Sequence, residues 1–133
     1  MNPTTVVDTN VWIDYLRGDA ASAMAIERLG AAGSLAMSAI TVFELNRGAR
    51  SEKKRQAIRD LLAACSNVLP LTEVAAEAAA RIEIAQRDLG KQLEARDALI
   101  AGTVVAYDAE LLTRDSDFRR VPELSGRLIG IEK

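Results

Sequence analysis

Asp8, Glu44, Asp97, Asp115 and Asp117 are the residues of this 133-residue chain best placed to do chemistry. Each lies just past a stretch that reads as a β-strand or near the start of a helix. Asp8 follows Thr4–Val7, and Glu44 falls in the first turn or so of the helical segment after Ser34–Ser38. Asp97 stands near the start of the apolar helix Ala95–Tyr107, and Asp115 and Asp117 follow Glu110–Thr113. In an open parallel sheet, ligands bind outside the carboxyl ends of the strands, so these acids are expected to meet at one mouth. Two carboxylates about 4–5 Å apart repel by roughly 3–4 kcal/mol at an effective dielectric near 20. Several such pairs would consume much of a total stability of about 5–15 kcal/mol. A divalent cation removes that penalty, and helix N-termini behind Glu44 and Asp97 add a little. The cluster therefore implies its own cofactor, and the chemistry within reach is hydrolysis by metal-activated water.

Composition narrows the options. The chain has no histidine, which excludes a Ser-His-Asp triad, a Cys-His pair and a histidine general base. Cys65 is the single cysteine, so an intramolecular disulfide is impossible, and a zinc site, which favours sulfur and nitrogen ligands, does not fit. A strong site must be built of oxygen, suiting Mg²⁺, Mn²⁺ or Ca²⁺. No apolar run approaches the roughly 18 residues of a membrane span. The start MNPTTVVDTN lacks the pattern of a secretory signal, so the expected location is the cytoplasm. The net charge of −2 is not that of a general nucleic-acid binder, but its distribution is uneven. Arg47, Arg50, Lys53, Lys54, Arg55 and Arg59 form a basic run opposed within it only by Glu52. It reads either as a solvated helix face, as a phosphate track, or as a docking surface for an acidic partner. Arg114, Arg119 and Arg120 either clamp phosphates or offset the acids beside them.

The elements that must position these residues alternate. Thr4–Val7 reads as a buried strand and Asn10–Leu16 as a short helix ending near Gly18. Asp19 is a plausible N-cap for a second helix through Leu29, followed by strand Ser34–Ser38 and helices Thr41–Arg50 and Ser51–Cys65. In the last of these, Ile58, Leu61, Leu62 and Cys65 form one apolar stripe. Asn67–Leu71 is a strand interrupted by Pro70, and Thr72 can cap helix Glu73–Leu89, whose stripe reads Val74, Ala78, Ile82, Ala85, Leu89. Ala95–Tyr107, with Leu99, Ile100, Thr103, Val104 and Tyr107 on one side, precedes strands Glu110–Thr113 and Arg127–Ile131. Strand–helix alternation predicts a parallel sheet covered on both faces, in one α/β domain over residues 1–133. Trp12 and Tyr15, three apart, read as packing or interface anchors, and Cys65, Met24 and Met37 as core.

Four segments together, VVDTNVWIDYL, SAITVFEL, RDALIAGT and LLTRDSDF, resemble a PIN domain, and most closely the VapC-type ribonuclease toxins of bacterial toxin–antitoxin pairs. The resemblance spans nearly the whole chain, in the family's order and spacing. It implies a three-layer α/β/α fold with a central parallel sheet of four or five strands. It also implies an endoribonuclease using one or two Mg²⁺ or Mn²⁺ ions. The family's four acids fall on Asp8, Glu44, Asp97 and Asp115, with Asp117 a further metal ligand in some members. Asn10 and Thr113 match supporting polar positions, and Ser38 and Thr41 match small hydroxyl residues before the second acid. The resemblance further implies a homodimer, and a hetero-oligomer with a cognate antitoxin that blocks the acidic site. Arg47, Lys53, Lys54, Arg55 and Arg114 are the candidates for RNA contact.

Other readings exist for the same residues. Taken singly, Asp8 is a helix cap, Glu44 a solvated helix residue, Asp97 a surface partner for Arg96 or Lys91, and Asp115 with Asp117 an Asx-type turn. Taken as an ordered set they fit those roles poorly. A metal-dependent deoxyribonuclease uses the same chemistry. A dehalogenase-type phosphatase would want a second aspartate two residues after Asp8, where Asn10 stands. A non-catalytic acidic binding module of the receiver type would want an aspartate ending the third strand, and NVLPLT has none.

Overall fold

The computed structural model describes residues 3–65 and 67–131, so the expected domain limits at 1 and 133 fall outside the described residues. Five parallel strands form the centre: β1 (Thr5–Val7), β2 (Leu35–Ser38), β3 (Val68–Leu69), β4 (Glu110–Thr113) and β5 (Leu128–Gly130). Their order is β3-β2-β1-β4-β5. Helices α1 (Thr9–Leu16), α2 (Ala20–Ala31), α3 (Ala39–Gly48), α4 (Glu52–Ala64), α5 (Glu73–Asp88) and α6 (Ala95–Ala106) make the connections. The expected α/β/α sandwich with a parallel sheet is what the chain forms.

Period-two alternation decides which side chain enters which layer. Val6, Ala36 and Leu111 belong to a core shared with Ala79, Ile82, Ala98, Ala101 and Val104 of α5 and α6. Val7, Met37 and Leu112 point the other way, to Val11, Trp12, Ile26, Leu45 and Ile58 of α1 to α4. Both faces are apolar, as buried parallel strands require. The register pairs Val6 with Leu111 and Val7 with Leu112, which brings the carboxyl ends of β1 and β4 side by side. There the chain, having built one half of the sheet, crosses to the other: the switch point of the topology.

Local signals set most boundaries. The side chains of Asp19, Ser51 and Thr72 accept from the backbone N–H of Ser22, Lys54 and Ala75 and start α2, α4 and α5. Ser38 does the same for Thr41 and starts α3 at Ala39, two residues before the expected Thr41. Strand β3 stops at Leu69 because Pro70 has no N–H to extend the ladder. Two 3₁₀ turns, Ser116–Arg120 and Pro122–Leu124, lie between β4 and β5 and were not foreseen.

Trp12 is fully buried and meets Tyr15 edge to face, as packing anchors should. Cys65 and Met37 are buried as expected, but Met24 is exposed on α2 and is not core. The stripe expected on α5 is also displaced. Val74 and Leu89 are exposed, while Ala75, Ala78, Ala79, Ile82 and Gln86 are buried. The reason lies on α6, where Gly102 lets the two helix backbones approach. A Cβ at Gly102 would fall 2.6 Å from the Ala79 nitrogen and 2.8 Å from its Cβ. Small residues must face it, so the alanine side of α5 turns inward and the larger side turns out. Gly102→Ala should therefore cost about 1–3 kcal/mol by overpacking. Urea unfolding with an earlier midpoint and an unchanged slope is the expected result, and a wild-type midpoint would refute the close approach.

Candidate active site

The switch point carries the acids. Asp8 follows β1 and occupies the N-cap position of α1, but makes no side-chain cap bond there. Its carboxylate instead accepts from the Thr113 hydroxyl at the end of β4, at 2.8 Å. The same Thr113 oxygen accepts the Asp115 N–H at 2.9 Å, and Asp115 in turn accepts the Asp117 N–H at 2.9 Å. One hydroxyl thus joins the first and fourth acids across the sheet.

Glu44, on the second turn of α3, is positioned by a separate chain of hydroxyls. Ser38 donates to Thr41 at 3.2 Å, Thr41 meets Thr9 at 2.8 Å, and Thr9 donates to Glu44 Oε1 at 2.8 Å. Ser38, Thr41 and Thr9 are all buried. Their donors run in one direction and end on the carboxylate. Asp97 stands in the first turn of α6, where the helix N-terminus favours its charge.

Asp8, Thr9, Asn10, Glu44, Gln92, Glu94, Arg96, Asp97, Asp115 and Asp117 line one open cavity of about 360 Å³. All five expected acids and Asn10 meet there, while Thr113, Ser38 and Thr41 stand behind it as supports. Asp117 is the more exposed of the last two acids, and Arg120 lies 3.6 Å from it.

Burial, and crowding after it, show in the acidities. Burial pushes the Asp8 carboxyl up to about 6, against the pull of the Thr113 hydroxyl and the Thr9 N–H, and Asp115 and Glu44 push it further. Asp97 is also pushed up to about 6, first by burial and then by Asp8, Asp115, Glu94 and Glu44. Among the described residues no group of three or more Cys, Asp or Glu side chains is already closed into a cation cage. The donor set still fits a hard divalent cation: all its atoms are oxygens, and two of its acids resist ionising in one another's company.

The basic candidates behave differently. Arg114 does not reach the mouth. Its guanidinium pairs with Asp14 at 2.5 Å and Asp19 at 2.8 Å, and its Nε is buried without a partner among the described residues. This corrects its expected role as a phosphate clamp: it ties the turn after β4 to α1 and α2. Arg55 pairs with Glu52, and Arg47 stacks over Phe43. Lys53 is exposed, and Lys54 lines a second groove of about 310 Å³ that shares Glu44 with the mouth. Arg96 pairs with Glu44 and Glu94, not with Asp97. Thr9, Gln92, Glu94 and Arg96 escaped the reading as site residues. Thr9 was within view, sitting between Asp8 and Asn10.

Comparison with known proteins identifies the family to which this chain belongs. The family model described as PIN domain covers residues 5–124. Ribonuclease VapC19 of Mycobacterium tuberculosis is 32% identical over 121 residues, covering 90% of this chain and 95% of that protein. The chain therefore belongs to the PIN-domain family, and within it to the VapC type. The fold recurs in DNA-bound VapBC from Salmonella typhimurium, with a TM-score of 0.85 and 22% identity over 97% of this chain and 98% of that one. It recurs in VapBC2 from Rickettsia felis bound to a DNA fragment from their promoter, with a TM-score of 0.83 and 20% identity over 97% and 99%. A toxin–antitoxin complex from Klebsiella pneumoniae gives a TM-score of 0.73 at 25% identity over 95% and 96%.

Proposed function

We propose that this chain is the ribonuclease toxin of a toxin–antitoxin pair, one PIN domain over residues 1–133, cutting RNA with Mg²⁺ or Mn²⁺ in the cytoplasm. The observation that carries this reading is the meeting of Asp8, Glu44, Asp97, Asp115 and Asp117 in one cavity at the switch point. Asp8, Asp97 and Asp115 would hold the ion, with Glu44 and Asp117 completing the set. When bound, it would lower the pKa of a water, make hydroxide available near neutral pH without a histidine, and offset charge on the scissile phosphate.

The chain's own groups have distinct tasks. Thr113 fixes the Asp8 carboxylate and the Asp115 backbone together, so two ligands keep one spacing. The Ser38–Thr41–Thr9 chain fixes one oxygen of Glu44. Asp97 accepts no side-chain hydrogen bond from the described residues and is half-buried, which leaves it free to orient the attacking water and receive its proton. Asn10, exposed at the rim, is placed to meet the RNA chain. Arg47, Lys53, Lys54 and Arg55 supply a basic approach along α3 and α4.

The relatives point to partners. The Klebsiella structure is a toxin–antitoxin complex, and a cognate antitoxin bound beside the acidic mouth is the matching expectation here. Leu16 and Met24, exposed on α1 and α2, suit a homodimer or that partner. Among the described residues no helix is long and apolar enough to cross a membrane.

The deciding experiment offers single-stranded RNA and DNA of one sequence to the purified chain, with Mn²⁺ and then with excess chelator. RNA should be cut, DNA spared, and cutting should stop with the chelator. Cleavage that survives chelation overturns the metal assignment. Cleavage of DNA alone, or hydrolysis of a phosphomonoester instead, moves the chain to the deoxyribonuclease or phosphatase reading.

A further inference from the structure

Arg96 is a guanidinium set inside a ring of acids. Its Nη1 lies 2.9 Å from Glu44 Oε2, and its Nη2 lies 3.1 Å from Glu94 Oε2. The two links are unequal. Glu44 is 13% exposed and Glu94 71% exposed, so the bond to Glu44 is the better shielded and the bond to Glu94 contributes little. Glu44 itself is gripped unevenly. Its Oε1 is held by Thr9, at the end of a buried hydroxyl chain, and its Oε2, among the described residues, only by Arg96, whose long side chain is 43% exposed. One oxygen is fixed by the fold, and the other is held by a group that can leave.

Any cation that draws on Glu44 meets a positive charge already there. Arg96 also sits in the first turn of α6, one residue before Asp97, so its backbone stays at the mouth wherever its side chain turns. Once released from Glu44, a guanidinium presents a planar fork of donors that matches a phosphate. Among the described residues nothing else lining the mouth is basic: the remaining lining side chains are acids, Thr9, Asn10 and Gln92.

We propose that Arg96 is a counter-ion with two successive partners, Glu44 while the mouth is free of cation and a phosphate of the RNA once substrate is bound. It competes with the cation for Glu44 and then contacts substrate directly. This role rests on the ribonuclease reading and deepens it. It makes the closed ion pair a resting state that RNA and cation open together.

The test uses Arg96→Gln and Arg96→Lys in the full chain, because competition and substrate contact shift two readouts in opposite senses. In calorimetric titration with Mn²⁺ and no RNA, Arg96→Gln should bind about five-fold or more tightly than wild type. In RNA cleavage at saturating Mn²⁺, the same variant should lose about 10- to 100-fold in kcat/KM, chiefly through KM. Arg96→Lys keeps the charge but not the fork. It should bind Mn²⁺ like wild type and cleave at an intermediate rate. A residue that merely braces α6 would weaken both readouts in Arg96→Gln, and that result overturns the proposal. Tighter Mn²⁺ binding with wild-type cleavage overturns it equally, since no phosphate contact was lost. If wild type cuts no RNA at all, the ribonuclease reading fails. The calorimetric comparison still decides whether Arg96 holds the cation off Glu44.

Discussion

Asp8→Asn should lower RNA cleavage by at least about 10³-fold, some 4 kcal/mol of transition-state stabilisation, and should leave the fold intact. The substitution keeps the shape of the side chain. Its amide oxygen can still accept from the Thr113 hydroxyl, the contact that joins β1 to β4 at 2.8 Å. What it loses is the charge at the point where four elements meet. Asp97→Asn should behave alike, because Asp97 has no partner among the described residues to preserve and serves only the mouth. Asp115→Asn should cost more than Asp117→Asn, since Asp115 is held by the Asp117 N–H and linked through Thr113 to Asp8. Asp117 is exposed and lies next to Arg120. Initial rates on one RNA oligonucleotide, with circular dichroism of each variant, check the series. Wild-type rates from folded Asp8→Asn would overturn the assignment of the site.

How far the sequence revealed this site follows from where the information lies. β1 was legible because a β-branched run ends at an aspartate, α2 and α5 because Asp19 and Thr72 are capping types in capping places, and α4 because Ile58, Leu61, Leu62 and Cys65 form one stripe. The meeting of the acids was legible only as a corollary of strand order, since Asp8 and Thr113 stand 105 residues apart. Contacts with no local signature were out of reach. Arg96 touches Glu44 across 52 residues, and Arg114 touches Asp14 across 100. Each arginine stands beside an acid in sequence, so a local reading pairs it with the wrong partner or sends it to solvent. The α5 stripe failed for a similar reason. An alanine-rich helix offers two faces of nearly equal hydropathy, and Gly102 on another helix chooses between them. Arg114 also ties down the turn that carries Asp115: its side chain is clamped to Asp14 on α1 and to Asp19, the cap of α2, whose carboxyl it holds down at about 2.

The thermal midpoint of the cation-free protein should rise as pH falls from 7.5 to 5, against the usual trend toward acid denaturation. Asp8 and Asp97 both have folded pKa values of about 6 against an ordinary 3.8. Between those values the folded chain binds more protons than the unfolded one, so stability increases as protons are added. That gain is full below about pH 4 and is lost as pH rises through 6. For buried Asp8 the whole shift is on the order of 3 kcal/mol, and about half of it falls between pH 7.5 and 5. Asp97 adds a smaller, overlapping share because it is less buried and its shift depends partly on Asp8. The combined gain of roughly 1.5–2.5 kcal/mol corresponds to about 4–10 °C. Asp19 and Glu52, whose carboxyls are held low by Arg114 and Arg59, act in the opposite sense but only below the ordinary carboxylate range, outside this window. Mn²⁺ offsets the same cost of holding buried, crowded carboxylates ionised, so at pH 7.5 it should raise the midpoint, through about 2.7 kcal/mol of added stability at a hundred times its Kd. At pH 5 protons compete for the same oxygens, and the Mn²⁺ effect should shrink. Asp8→Asn should start with a higher cation-free midpoint at pH 7.5 and lose most of both responses. Scanning calorimetry of both proteins at pH 5 and 7.5, with chelator and with Mn²⁺, reads all of these together. A wild-type midpoint that is flat or falls on acidification, or a Mn²⁺ shift as large at pH 5 as at 7.5, would show that burial and crowding at the switch point put no cost on ionising these carboxylates, and the physical case for a cation there would be lost.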